Sequence, residues 1–161
     1  MMQRSKGAPA PGPGSPTGRW LAVAVCVLLA LAVWVVFGQT RHHGFVNYDD
    51  GRLIHENAAI TQGLSLEGVA SAFIHINAGE WYPLTSLSHM VDWQLYGLKP
   101  GGHHLTNVVL HAATAILLFL LLRNLTGAFW PSAFVAAVFA LHPLRVESVA
   151  WVSERKDVCR S

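Results

Sequence analysis

The run WLAVAVCVLLALAVWVVF, residues 20 to 37, carries no charged side chain, and it restricts the fold more than any other feature. A helix rises about 1.5 Å per residue, so about 20 apolar residues cross the hydrocarbon core of a bilayer. In water the same run would expose apolar surface all round the helix, which only a deep core or a membrane tolerates. It exceeds the roughly 7–15 residues of a signal-peptide core, and no small-x-small cleavage pattern follows in FGQTRHHG. It is read as an uncleaved first membrane helix, residues 19–38, with a cleaved signal sequence as the alternative. Composition agrees: 52% of the chain is hydrophobic and 12% charged, against about 25% charged in soluble domains.

Other classes fall away on charge and cysteine usage. A formal net charge of +2, with no basic run interleaved with aromatics, gives no electrostatic footprint for nucleic acid. The two cysteines, Cys26 and Cys159, supply neither a disulfide framework nor a metal-ligand spacing.

Two further apolar runs follow. LTNVVLHAATAILLFLLL, residues 105 to 122, predicts a second membrane helix over 104–122. FWPSAFVAAVFAL, residues 129 to 141, is interrupted by His142-Pro143 before resuming as LRVESVAWV, which predicts a third membrane helix over 132–150, either shorter or bent near that dipeptide. The brief 123–131 connection makes the two an antiparallel hairpin. Residues 1–18, with GAPAPGPGSPTG, lack the apolar content to order themselves. Arg4, Lys6 and Arg19 precede the first helix and Arg123 sits in the short connection, whereas Arg41 alone lies close outside the first helix. The positive-inside rule then puts the tail and the 123–131 turn in the cytoplasm. The 39–103 loop and the 151–161 end face the periplasm or lumen. Within that loop, LSLEGVASAFIHI and YPLTSLSHMVDWQL place apolar residues at helical spacing, as interfacial helices on a membrane surface do. A small soluble domain is the alternative. The expected fold class is thus an all-α membrane protein with three membrane helices and an outer loop of amphipathic interfacial helices, in the bacterial inner membrane or, in a eukaryote, the endoplasmic reticulum membrane.

Several polar residues need a reason to be where they are. Asp49 and Asp50 stand side by side in GFVNYDDGRLIHEN, close to the end of the first span. Adjacent carboxylates repel when both ionise, so such a pair suits a raised pKa, a general base or a held cation. A turn or helix N-cap made by Asp before Gly51 is the plainer reading of the pair on its own. His104, Asn107 and His111 recur at i, i+3 and i+7, and polar groups on one face of a span point to a protein interior or watery cavity. Inter-helix hydrogen bonds are the plainer reading. His104 and His111 lie too far apart to share one zinc without ligands from elsewhere, so no metal site is assigned. In HPLRVESVAWVSERKDV, Arg145, Arg155 and Lys156 set cations on the outer side against the positive-inside preference. A phosphate or pyrophosphate group would justify them. Local pairing of Arg145 with Glu147 and of Glu154 with Lys156 is the alternative.

Taken in order, FVNYDD with Ile54 and Asn57, WYPLTSLSHMVDWQLYGLKPGGHHLTNVVLH and ALHPLRVESVAWVSERKDV resemble the N-terminal part of the transmembrane and tetratricopeptide-repeat O-mannosyltransferases and their bacterial relatives. The resemblance runs from about Phe45 to Val158. It implies a truncated form of the GT-C glycosyltransferase fold, a polyprenyl-phosphate sugar donor, and a protein or other hydroxyl acceptor. By the same resemblance Asp49 or Asp50 acts as base on the acceptor hydroxyl or helps place a divalent metal ion, which is left open as a cofactor. His142, Arg145, Arg155 and Lys156 would bind the donor phosphate, with His104, Asn107, His111, Glu147 and Asp157 supporting. Tyr82 stands before Pro83 where the family would place a basic residue or histidine. The parent's tetratricopeptide repeats have no counterpart here, since no helical repeat of about 34 residues is found. The chain is therefore expected to be an N-terminal fragment inactive by itself. The rival classes are a non-catalytic membrane scaffold and a metal transporter component that gathers His42, His43, His103 and His104.

Overall fold

The computed structural model describes residues 16–45, 57–74, 81–152 and 155. Regular structure among them is helical, with no strand. Helix α1 (Pro16–Phe37) runs into a 3-10 turn (Gly38–His42). Short helices α2 (Ala58–Thr61) and α3 (Leu66–Ile74) lead to α4 (Pro83–Tyr96), then α5 (Pro100–Thr126), α6 (Phe129–Leu141) and α7 (Arg145–Ala150).

Two helical stretches, Pro16–His42 and Pro100–Thr126, each 27 residues, are long and apolar enough to cross a membrane. Helix α5 therefore starts before residue 104 and ends beyond residue 122, so the turn to α6 is confined to Gly127 and Ala128. Gly127 makes that turn possible. It adopts the left-handed conformation (φ 66°) and its N–H bonds to the Arg123 carbonyl at 3.0 Å, an arrangement that glycine enters without a Cβ penalty.

Of the two forms expected for the third segment, the structure has the shorter, and no single bent helix runs over 132–150. Pro143 disfavours helical backbone at the residue before it and has no N–H to give. His142 is accordingly extended (φ −65°, ψ 131°), α6 stops at Leu141, and α7 begins separately at Arg145. The 13 residues of α6 reach only about 20 Å at 1.5 Å per residue, short of a full hydrocarbon core.

Helices α1, α5 and α6 share one core. Leu29, Val33 and Phe37 of α1 recur every fourth residue and meet Val108, Ala115 and Phe119 of α5. Helix α6 turns inward a stripe of small residues, Ser132, Ala136 and Ala140, which allows backbones to approach closely. Phe119 and Phe129 meet edge to face with centroids 5.6 Å apart. The outward faces are apolar as well: Val23, Val27, Leu31, Val35, Leu117, Leu121, Phe134 and Val138 are all exposed. A water-soluble bundle would not leave such a surface bare.

Helix α4 is built inside out. It buries Thr85, Ser86, His89 and Asp92 beside Met90, and exposes Leu84, Val91 and Leu95. In α3 the buried residues are Gly68 and Ala72, whereas Leu66 is 92% exposed and Phe73 and Ile74 are also exposed. The apolar stripes of both helices thus lie largely outside, over a small second core of Ile60, Ala72, Met90 and Val152. What α4 turns inward is a polar cluster.

Candidate functional site

That cluster forms where α4, the start of α5 and the segment after α7 converge. Its centre is Arg155, fully buried, with a guanidinium that meets a partner at every nitrogen. Nε donates to Asn107 Oδ1 at 2.6 Å, Nη1 to Ser88 Oγ at 3.2 Å and Nη2 to the His103 carbonyl at 3.0 Å. Nη2 also lies 2.6 Å from Asp92 Oδ2. Asp92 is 2% exposed, and its other oxygen accepts the Thr106 hydroxyl at 2.7 Å. A charge is stable at this depth only when paired and hydrogen-bonded. Here each ion supplies what the other requires.

Local geometry puts these groups on converging faces. Ser88 and Asp92 stand one turn apart on α4, with His89 between them, and residues at i and i+4 share a face. Pro83 and Pro100 occupy first helical positions of α4 and α5, where their missing N–H costs nothing. Tyr96 fits against Gly102, where a Cβ would collide with its ring. Asn107 completes the join: its amide donates to the Val149 and Trp151 carbonyls at 3.3 and 3.1 Å while its oxygen takes Arg155. One side chain thereby ties α5 to the end of α7 and to the arginine beyond it.

His111, deeper along the same face of α5, donates from Nε2 to the Ala140 carbonyl at 3.0 Å, capping one of the orphan carbonyls at the end of α6. Its ring stands edge-on to Phe37 with centroids 5.4 Å apart. Asn107 and His111 are therefore inter-helix hydrogen bonders, the plainer of the two readings of the i, i+3, i+7 pattern. His104, fully buried, reaches the Gly44 carbonyl at 3.4 Å and so ties α5 to the backbone just after the 3-10 turn.

The sequence reading placed Arg155 at a donor phosphate, and in this structure its donors are spent on protein acceptors. The reason is Asp92, a buried counter-charge that the sequence analysis did not single out. His142 and Arg145 are different. His142 is exposed, and its Nδ1 accepts the Leu144 N–H at 3.2 Å. Arg145 is half-buried with its guanidinium 4.4 Å from the Phe139 ring centroid. Asp49, Asp50, Lys156 and Asp157, with the side chain of Glu147, lie outside the described residues.

Donor atoms of His89, Asp92 and His103 fall within 4.8 Å of one another, a set whose chemistry suits zinc. Charge argues against an ion there. Asp92 and Arg155 already cancel, so a divalent cation would leave the buried cluster two charges positive, and among the described residues no further carboxylate joins it. The nearby positive charge also acts on His89: burial first, then Arg155 and His103, hold its pKa well below the usual value. His89 is a neutral imidazole facing an ion pair.

Sequence reasoning passed over Asp92, Ser88, His89 and Thr106. The available signal was the position of Asp92 in an amphipathic helix whose polar face also carries Ser88 and His89. What it lacked was the partner, which arrives from the far end of the chain.

These features define a class: a chain whose described residues are helical, with two helices able to cross a membrane and a buried ionic cluster joining an amphipathic helix to the second of them. Comparison with known proteins narrows it. Protein O-mannosyl-transferase Tmtc1 of Drosophila melanogaster is 33% identical over 143 residues, covering 84% of this chain and 16% of that protein. Tmtc2 of the same organism is 31% identical over 141 residues, covering 83% and 15%. Human TMTC2, also a protein O-mannosyl-transferase, is 30% identical over 118 residues, covering 69% and 14%. The chain belongs to this family of protein O-mannosyl-transferases, and it spans about a sixth or less of the length of these relatives. No family model matches the chain, and no solved structure does.

Proposed function

We propose that the chain forms the donor- and acceptor-facing start of an integral-membrane mannosyltransferase with a GT-C-type fold, taking the sugar from a polyprenyl-phosphate donor to a protein hydroxyl. Family membership carries the reading. In it, α1, α5 and α6 with α7 act as three membrane segments, and α3 and α4 lie along the outer membrane surface on their exposed apolar faces. The bacterial inner membrane or the endoplasmic reticulum membrane would house it.

Transfer to a hydroxyl needs a base at the acceptor oxygen and positive charge where the phosphate departs. Asp49 or Asp50 takes the acceptor proton, the acceptor oxygen bonds to the sugar's anomeric carbon, and the bond from that carbon to the phosphate oxygen breaks with inversion. The same carboxylate pair is where a divalent ion would be held. His142, Arg145 and Lys156 answer the departing phosphate. Arg155 serves them indirectly, by anchoring the segment after α7 to Asp92 and Asn107.

The test replaces the matching N-terminal region of the Drosophila relative with this chain, so that the remaining length is supplied. Membranes carrying the chimera are assayed for mannose transfer from a polyprenyl-phosphate donor to protein acceptors. Transfer by the chimera and its loss by 100-fold or more in Asp50→Asn or Asp49→Asn, on the order expected for removing a general base, is the result this reading requires. Unchanged transfer in both variants would remove the carboxylates from the chemistry. A chimera that binds partners yet never transfers would favour a scaffold.

A further inference from the structure

Where α1 gives way to the 3-10 turn, a groove of about 440 Å³ is lined by Trp34, Val35, Gly38, Gln39, Arg41 and His42. We infer that this groove binds the headgroup of an anionic bilayer phospholipid, with Arg41 on the phosphate and an acyl chain descending along Val35 and Leu31.

The site is built rather than incidental. Gly38 leaves space for the indole of Trp34, since a Cβ there would stand 3.2 Å from its ring. Arg41 lies over that indole, 5.8 Å from the ring centroid, and its Nε donates to His42 Nε2 at 3.0 Å. Those two contacts hold the side chain while both terminal nitrogens keep donors in the plane that suits a phosphate. The Arg41 carbonyl abuts Gly101, where a Cβ would come within 2.5 Å of it, so the turn is pinned to α5 from behind. Among the described residues no carboxylate pairs with Arg41.

Position selects the ligand. Leu29, Val33 and Phe37 point α1 into the core, whereas Leu31 and Val35 are more than half exposed. The floor of the groove thus continues down the apolar outside of a 27-residue hydrophobic stretch. A soluble phosphate would use the arginine and leave that floor bare. Arginine stacked on tryptophan at the headgroup level, above an apolar track, matches a phosphodiester with its chain in the bilayer.

The inference rests on α1 lying in a membrane and is independent of sugar transfer, so its readout is lipid retention. The chain is purified in mild detergent, supplied with phosphatidylglycerol or phosphatidylcholine, and the retained copies are counted by native mass spectrometry. Phosphatidylglycerol should be preferred by roughly tenfold, because both lipids offer a phosphodiester but the choline ammonium of phosphatidylcholine offsets the charge that Arg41 answers. Arg41→Gln should abolish that preference, Arg41→Lys should keep part of it, and Gly38→Leu should weaken it by displacing Trp34. Arg41 is exposed, and an unchanged melting temperature shows that Arg41→Gln folds; if it does not fold, Arg41→Lys and Gly38→Leu decide. Equal retention of the two lipids, or a preference that survives Arg41→Gln in folded protein, overturns the assignment. So does displacement of phosphatidylglycerol by equimolar inorganic phosphate or by a polyprenyl phosphate, which would name a different occupant.

Discussion

Arg155 and Asp92 lie 2.6 Å apart with side chains 0% and 2% exposed, although one stands beyond α7 and the other midway along α4. The pair holds α4 and the segment after α7 together. Breaking a buried pair from one side strands the other charge, at a cost of about 3–5 kcal/mol. Asp92→Asn should lose that much in unfolding of the detergent-solubilised protein. Asp92→Asn combined with Arg155→Met should regain a large part of it, because neither charge is then left alone. A double variant no more stable than Asp92→Asn would mean the pair is not the source of the loss.

His89 supplies a pH dependence with a definite sign. Its pKa is lowered in the folded protein, first by burial and then by the electrostatic influence of Arg155 and, after it, His103, while an unfolded histidine titrates near 6.5. The folded state therefore binds fewer protons, and stability rises with pH wherever the unfolded histidine is losing its proton. The His89 contribution is complete above about pH 6.5 and is lost progressively as pH drops toward the lower folded value. Melting temperatures followed downward from about pH 7.5 to about pH 5, a range that brackets the unfolded value of about 6.5, should decline for the native chain and decline less for His89→Gln. Parallel curves would show that His89 is not the titrating group.

Gly101 tests the joint between the 3-10 turn and α5. By helix propensity alone, alanine inside a helix is better than glycine by about 1 kcal/mol. Here the added Cβ would meet the Arg41 carbonyl at 2.5 Å, and backbone cannot step aside as a flexible side chain can. Overpacking of this kind costs about 1–3 kcal/mol. Gly101→Ala should therefore destabilise the chain, and a melting temperature at or above the native value would show that the turn is not pinned.

Which parts of the fold could be read from sequence follows the range of the forces involved. The apolar runs of α1 and α5 are set by residues next to one another, and each is plain in one stretch of chain. So is Pro143: of a shorter helix and a bent one, the dipeptide gives the shorter, ending α6 at Leu141. The polar cluster was half visible. Asn107 and His111 announce themselves by sitting in an apolar helix, whereas Asp92 looks like an ordinary surface acid until Arg155 is brought against it. A charge that is neutralised from far along the chain carries no local mark.

Asn107 gives the sharpest check of the cluster as a unit. Its oxygen accepts Arg155 Nε at 2.6 Å and its amide donates to Val149 and Trp151, so truncation leaves both a guanidinium donor and two carbonyls short of a partner. Losing such a buried donor costs about 1–3 kcal/mol, and Asn107→Ala should fall in that range. The effect should also depend on Arg155. In a double-mutant cycle with Arg155→Met the two losses should be less than additive by about 0.5–3 kcal/mol, the range for residues sharing one hydrogen-bond network. Additive losses would mean that Asn107 acts only on the α7 carbonyls, and that Arg155 is held by Asp92 without it.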